Sequence, residues 1–336
     1  MNQSAADVQT QSKPARRSDR PSVFRRILAI DEIGVIGALV AICTFLSLTS
    51  DKFLTQSNFI NVSRQASYVA IMAVGMVFVI SMGDIDLSVG QILMFSSVEM
   101  ALMLKNGHSI WLAVLVCLAI GAACGLVNGV LSVVLRIPTI IVTLGTLSLF
   151  RGLGLVVTDA TPVSGYDIKT WFFTNIGGKD PYLNIWISVW VMLGVGLVAW
   201  VLFNHTAFGR RVQAIGSNLQ AARFSGIRIA RYRIMVMTLM GFIVGIAAVT
   251  VLAFNRNGSP TVGQGSELNV IAATIIGGTA LSGGSGSVLG ALLGAIIIAI
   301  IQNGLALLHV TPSWATAATG VVIIVAVTLD YLIKRR

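Results

Sequence analysis

Apolar residues in this chain come in long unbroken blocks, and that constrains the fold more than any other feature. Ten blocks can be laid out, at about 33–50, 66–82, 88–104, 111–135, 139–157, 186–203, 233–254, 266–280, 286–308 and 314–333. Most approach the roughly 20 residues that a helix needs to cross about 30 Å of hydrocarbon. Lipid offers no partner to a backbone amide or carbonyl, so segments of this kind span as helices that satisfy themselves. The expectation is an all-α, polytopic membrane protein with about ten transmembrane helices. Composition agrees: 55% of residues are hydrophobic and 11% charged, against about 25% charged in a soluble domain. The eighth block is short and bounded by glycine, so a full span, a broken helix and a re-entrant segment are all open to it.

The expected division is a disordered, polar cytoplasmic tail over 1–32, a transmembrane domain over 33–333 and a short cytoplasmic end at 334–336. The tail carries Lys13, Arg16, Arg17, Arg20, Arg25 and Arg26, and the apolar run after it lacks a small-residue cleavage site, which reads as an uncleaved first span. Orientation follows from the basic residues, which stay on the cytoplasmic side of short loops. The loop over 204–233 holds Arg210, Arg211, Arg223, Arg228, Arg231 and Arg233 without one Asp or Glu. With that loop cytoplasmic and ten spans, both termini lie inside, and sixteen of the 23 basic residues fall on that side against six outside. A net charge of +10 then faces anionic lipid head groups and calls for no nucleic acid.

Cys43, Cys117 and Cys124 all lie within apolar blocks and read as reduced, structural thiols. His108, His205 and His309 end different blocks, so no metal site is expected. No phosphate-binding loop is present: the Gly178-Lys179 pair is followed by Asp180, so ATP is not bound here in that manner.

Three segments carry the chemistry. Gly83–Gly90 (GDIDLSVG) sets two carboxylates and a hydroxyl between two blocks, where acids are costly unless hydrated or paired. Asp84 and Asp86 could bind a polyhydroxyl solute or latch the basic loop; alternatively Asp86 or Ser88 caps the following helix. With Glu99, Asn128 and Asn303, polar residues inside spans, Asp84, Asp86 and Ser88 form the expected substrate path or gate. Gln302 is also polar, and Arg151 is expected to snorkel to the outer boundary. The second segment, over 277–290 (GGTALSGGSGSVLG), supplies Gly277, Gly278, Gly283, Gly284, Gly286 and Gly290 for close helix packing or hinging. Its G-x-x-x-L-S-x-G spacing matches that of 83–90, an internal repeat or simply glycine and serine recurring at helix ends. In the third segment, Asn218 to Ile227, a short helix closed by Gly226 would expose Phe224 and Ile227 as a docking knob.

Together these three segments resemble those of the ribose, xylose and arabinose-type permease subunits of bacterial ABC importers, in order and spacing, over roughly 33–333. The resemblance implies a permease in the inner membrane, paired with a second copy of itself or a related permease. It would stand between a periplasmic sugar-binding protein and cytoplasmic ATPase subunits, which use ATP and Mg²⁺, with no cofactor on this chain and no covalent chemistry. The importers' Glu-Ala-Ala-x-x-x-Gly coupling pattern maps onto Gln220, Ala221, Ala222 and Gly226, with Gln220 in place of the glutamate and Asn218, Phe224 and Ile227 flanking. Two other readings start from the same residues. An ion-coupled secondary transporter would use Asp84, Asp86 and Glu99 as coupling acids, and a membrane enzyme would need a catalytic constellation that the chain does not display.

Overall fold

The computed structural model describes residues 32–311 and, beyond them, 314, 317, 318, 320, 321, 324 and 328. The tail, most of the tenth block and the end at 334–336 lie outside the described residues. The helices are α1 (Glu32–Thr49), α2 (Gln56–Ser81), α3 (Val89–Lys105), α4 (Ile110–Val134), α5 (Thr139–Val157) and α6 (Ile187–His205). They continue with α7 (Ala207–Ser217), α8 (Leu219–Phe224), α9 (Ile229–Asn255), α10 (Ser266–Ile276) and α11 (Val288–Leu307). A single π-helical turn, Phe172–Ile176, lies between α5 and α6. The chain is an all-helical, multi-pass membrane protein: six of these helices, α2, α4, α5, α6, α9 and α11, are long and apolar enough to cross a membrane.

That is fewer than the ten expected, for identifiable reasons. Helix α3 has 17 residues, about 25 Å of rise, and α10 has 11, about 16 Å, too short to cross alone. The segment before α10 makes up the difference. Gly258 lies against Val98 and Ala101 of α3, and Gly263 against the carbonyl of Gly90, so residues 258–263 run down α3 for about 16 Å before α10 begins. The eighth block therefore holds a helix too short to span alone, preceded by a run of turns over 260–265 that the hydropathy pattern passed over.

Helices α2 and α9 occupy the centre. Nearly every residue of α2 from Ala70 to Met82 is buried, as are Val236, Met237, Met240, Val244 and Ala247 of α9. Helix α9 is pressed onto α4 along a glycine seam: a Cβ on Gly121 would strike the Gly241 carbonyl, one on Gly125 the Met237 carbonyl, and one on Gly129 the backbone of Ile234. Their four-residue spacing puts these glycines on one face of α4, a GxxxGxxxG stripe that lets two backbones meet without the hydrophobic effect, which lipid abolishes. Gly277 and Gly290 make a second such contact between the end of α10 and the start of α11.

Helices α2 and α10 end alike. Gly83 (φ +85°) and Gly278 (φ +89°) are left-handed, and the next amides, of Asp84 and Thr279, donate back to Val79 and Thr274 at 3.1 and 3.2 Å. This pairs Gly83 with Gly278, one residue off the shared sequence spacing, and the same closure ends α3 at Gly107 and α8 at Gly226. The likeness of the two segments is thus accounted for by helix termination.

Gly125→Leu should therefore prevent the α4–α9 contact, since overpacking costs about 1–3 kcal/mol even where neighbours can yield and here the neighbour is backbone. Gly145, with nothing within 4 Å of its Cβ position, should accept leucine. Size-exclusion profiles of the two detergent-solubilised variants check this: the first should be aggregated or absent, the second monodisperse.

Candidate functional site

The acidic segment between α2 and α3 is tied down on every side. Asp84 Oδ1 accepts from Thr139 Oγ1 at the start of α5 at 2.9 Å, and Oδ2 pairs with Arg233 Nε in the first turns of α9 at 2.8 Å. This is the single salt bridge among the described residues. Asp86 Oδ1 accepts from both the amide (2.8 Å) and the hydroxyl (2.6 Å) of Ser88. Ser88 Oγ in turn accepts from Asn128 Nδ2 of α4 at 2.8 Å, and Asn128 Oδ1 from Thr146 Oγ1 of α5 at 2.6 Å. The chain of bonds joins the head of α3 to α4 and α5. Burial pushes the Asp86 carboxyl above the usual carboxylate range, against the opposing pull of the Ser88 and Asn128 bonds.

Asp84 latches the basic loop, whereas Asp86 organises a wholly buried knot. Ser88 does not cap α3 with its side chain. Asp86, Ser88 and Asn128 are all fully buried, so they line no open path in this conformation. Asn303 is likewise engaged, exchanging amide hydrogen bonds of 2.8 and 3.0 Å with Asn58 across α11 and α2. Glu99 is half-buried on α3, one turn beyond Phe95, which packs near Gly154 of α5.

The loop over 204–233 is ordered. Thr206 caps α7 by accepting from Gly209 N at 3.3 Å. Asn218 ends α7 and caps α8, its Oδ1 accepting from Ala221 N at 2.9 Å. Helix α8 closes at Gly226, φ +79°, with the Ile227 amide donating to Ala222 O at 3.1 Å. Gln220 and Ala221 are exposed, Ala222 is buried, and Phe224 stands 89% exposed. Ile227 does not share that exposure: it is half-buried against the core, because the turn at Gly226 sends the chain back toward the bundle. Beside α8, Arg211, Ile227, Arg228, Arg231 and Tyr232 line a hollow of about 260 Å³.

The second glycine segment meets this loop. The Gly284 amide donates to Ser81 O at 2.8 Å, Ser81 Oγ to Ser285 O at 3.2 Å, and Ser217 Oγ to Gly284 O at 3.5 Å. Gly216 lies against Ser81, and Gly286 against the Ser81 hydroxyl. Gly278, Gly283 and Gly284 are all left-handed, which side chains other than glycine rarely tolerate. The acidic segment, the basic loop and the second glycine segment therefore share one end of the bundle.

A second polar group, missed from sequence, lies within the bundle's depth. Arg151 of α5 is exposed on the isolated chain, and with the Gln264 side-chain amide turned over, its oxygen accepts from the Arg151 Nη1 at 3.2 Å and Nη2 at 2.5 Å. Gln264 lies in the turns that lead into α10. Glu267, in the first turn of α10, is within electrostatic reach of Arg151. The same side of α5 exposes Gly145, Ser148 and Gly152, with open space around both glycines. The available signal was Arg151 itself, an arginine inside an apolar block.

A family model described as the permease component of branched-chain amino acid transport systems matches residues 58–327. The chain belongs to that family. The ribose import permease of Bacillus subtilis (strain 168) is 38% identical over 301 residues, 90% of this chain and 93% of its own. An L-arabinose ABC transporter permease of Azospirillum brasilense is 33% identical, with 90% and 88% covered, and the xylose transport permease of Escherichia coli (strain K12) 33%, with 90% and 92%. A solved structure assigned as a metal-chelate type ABC transporter, in an inward-facing conformation, shares the fold with a TM-score of 0.51 at 14% identity, covering 92% of this chain and 99% of that one. The chain is thus a transport subunit of the ABC permease kind.

Asp84→Asn should leave the Arg233 guanidinium without its counter-charge and cost about 1–3 kcal/mol. Thermal unfolding of the purified protein should show a lower midpoint. Exchanging the two charges, Asp84→Arg with Arg233→Asp, should recover part of the loss.

Proposed function

We propose that the chain is the permease subunit of an inner-membrane ABC importer that carries a monosaccharide or similar small sugar-like solute into the cytoplasm. The observation that carries the reading is the set of relatives, whose names specify ribose, arabinose and xylose and which align with about nine-tenths of the chain. In this reading the end bearing the basic loop is cytoplasmic, block 314–333 completes ten spans, and both termini lie inside. A second copy or a related permease completes the channel, a periplasmic binding protein delivers the sugar, and separate ATPase subunits hydrolyse ATP with Mg²⁺. This chain itself holds no cofactor.

Residues 218–227 are the ATPase-docking element. Phe224, exposed on an ordered helix, is the kind of apolar knob that a soluble partner covers. Movement of α8 would pass through Arg233 and Asp84 to the heads of α3 and α5, and through Ser217 to the second glycine segment. The internal repeat is retained only as a distant relation between the α2–α3 and α10–α11 turns. An ion-coupled mechanism is disfavoured by the relatives, which are ABC permeases by name or family; of its three coupling acids, Asp84 is paired with Arg233 and Asp86 is enclosed, and Glu99 is half-buried.

Gly226→Val tests the docking element. The site has room for the side chain, with nothing within 4 Å of its Cβ position, but a β-branched residue at this φ is strained by about 1–3 kcal/mol. The variant should insert normally yet lose most ATPase co-purification and at least tenfold of ATP-driven uptake in proteoliposomes. Undiminished ATPase binding and uptake would remove residues 218–227 from the coupling role.

A further inference from the structure

Three arginines at the basic end of the bundle surround a hollow and have no counter-ion. Arg211, Arg228 and Arg231, with Ser225, Gly226 and Tyr232, line the space of about 260 Å³ beside α8. None of the three is in an ion pair among the described residues, where Asp84–Arg233 is the single salt bridge, and α9 has no acid in its first turn. Arg211 is nonetheless held in place. Its Nη1 donates to Tyr232 Oη at 2.6 Å, and the Tyr232 ring is backed by that of Phe208, with 5.8 Å between centres. The other donors of Arg211 stay free. Guanidinium groups gathered in this way repel one another unless an anion lies between them, and their planar forks match the oxygens of a phosphate.

The depth of the hollow identifies which phosphate it meets. Arg231, Met235, Thr238, Phe242, Ile246 and Val249 recur at helical spacing and share one face of α9. Met235 and Phe242 are each 40% exposed, and Thr238, Ile246 and Val249 are partly so, so this face looks out of the bundle. Its far end enters an apolar hollow shared with Trp111 of α4 and with Trp171. Those two rings lie 6.2 Å apart and are largely exposed, as tryptophans are at a membrane–water boundary. Eighteen residues separate Val249 from Arg231, about 27 Å of helix, close to the roughly 30 Å of hydrocarbon. Arg231 therefore stands at head-group depth in the opposite leaflet, with an apolar strip running from it into the bilayer. A partner bound from the aqueous side alone would meet the arginines and leave that strip uncovered.

We propose that Arg211, Arg228 and Arg231 form a binding site for the phosphate of an anionic phospholipid in the leaflet at the basic-loop end, its acyl chain lying along Met235 and Phe242. The site depends on membrane placement and not on the sugar-import reading. Phe224 lies outside the hollow and stays available to the ATPase.

The test uses the full-length chain purified in dodecyl maltoside and incubated with phosphatidylglycerol or with phosphatidylcholine, the retained lipid being counted by native mass spectrometry. Phosphatidylglycerol should be retained in preference to phosphatidylcholine. Arg228→Gln with Arg231→Gln should weaken that retention about tenfold. Arg210→Gln with Arg223→Gln removes the same charge from exposed positions outside the hollow and should leave retention within about twofold. Equal unfolding midpoints of the two lipid-free double variants establish that both are folded. Equal weakening by the two pairs would reduce the site to general charge attraction, and displacement by excess inorganic phosphate would make it a site for free anions. Release of the lipid when the ATPase subunits assemble on the chain would give the hollow to the ATPase. Each of these three results overturns the proposal.

Discussion

Hydrocarbon has no hydrogen bonds to offer, and the rest of the structure follows from that. Every polar atom carried into the bundle must be met by another part of the same chain or face a water-filled space. The Asp86–Ser88–Asn128–Thr146 chain meets most of the requirement, with Asp86 Oδ2 alone left without a hydrogen-bond partner. Asn58 and Asn303 meet it as a reciprocal pair. Apolar packing cannot drive helices together in lipid, so α4 and α9 rely on backbone proximity along their glycine seam. Ser96 Oγ, Ser97 Oγ and Thr279 Oγ1 are buried without a hydrogen-bond partner and are exceptions.

The same requirement couples the ends of the molecule. Asp84 is one short side chain, yet it touches the start of α5 through Thr139 and the start of α9 through Arg233. Arg233 closes the basic loop that contains α8. Asp84 thereby ties the basic loop directly to the start of α5.

Local features were legible in the sequence, and long-range ones were not. The block at 139–157 coincides with α5, and the left-handed requirement at Gly226 is met at φ +79°. Helix α2 begins at Gln56, ten residues before its block, because the polar stretch through Arg64 is sheltered: the guanidinium lies 3.8 Å from the Phe254 ring centre and 5.7 Å from that of Trp186. Hydropathy scores Arg64 as a break and cannot see a ring 190 positions away. The turns before α10 were passed over for a related reason, since residues 258–263 are polar and glycine-rich and only their packing on α3 shows that they belong to the bundle. The GxxxGxxxG stripe in α4 was present to be read, but its partner face on α9 shows only in three dimensions. Asn128 and Asn303 drew notice as intramembrane polar groups, whereas their partners Ser88, Thr146 and Asn58 show only in the structure.

The central claim is that the end bearing the basic loop and α8 faces the cytoplasm, with the connection between α5 and α6 on the other side of the membrane. Single cysteines at Phe224 of α8 and at Tyr182 of that connection, 89% and 91% exposed, can be introduced after replacing Cys43, Cys117 and Cys124. Their reaction with a membrane-impermeant, charged thiol reagent is then measured in spheroplasts and again after permeabilisation. The account predicts modification at position 182 in both states and at position 224 only after permeabilisation. Modification at position 224 in sealed spheroplasts, or protection at position 182 there, would contradict it.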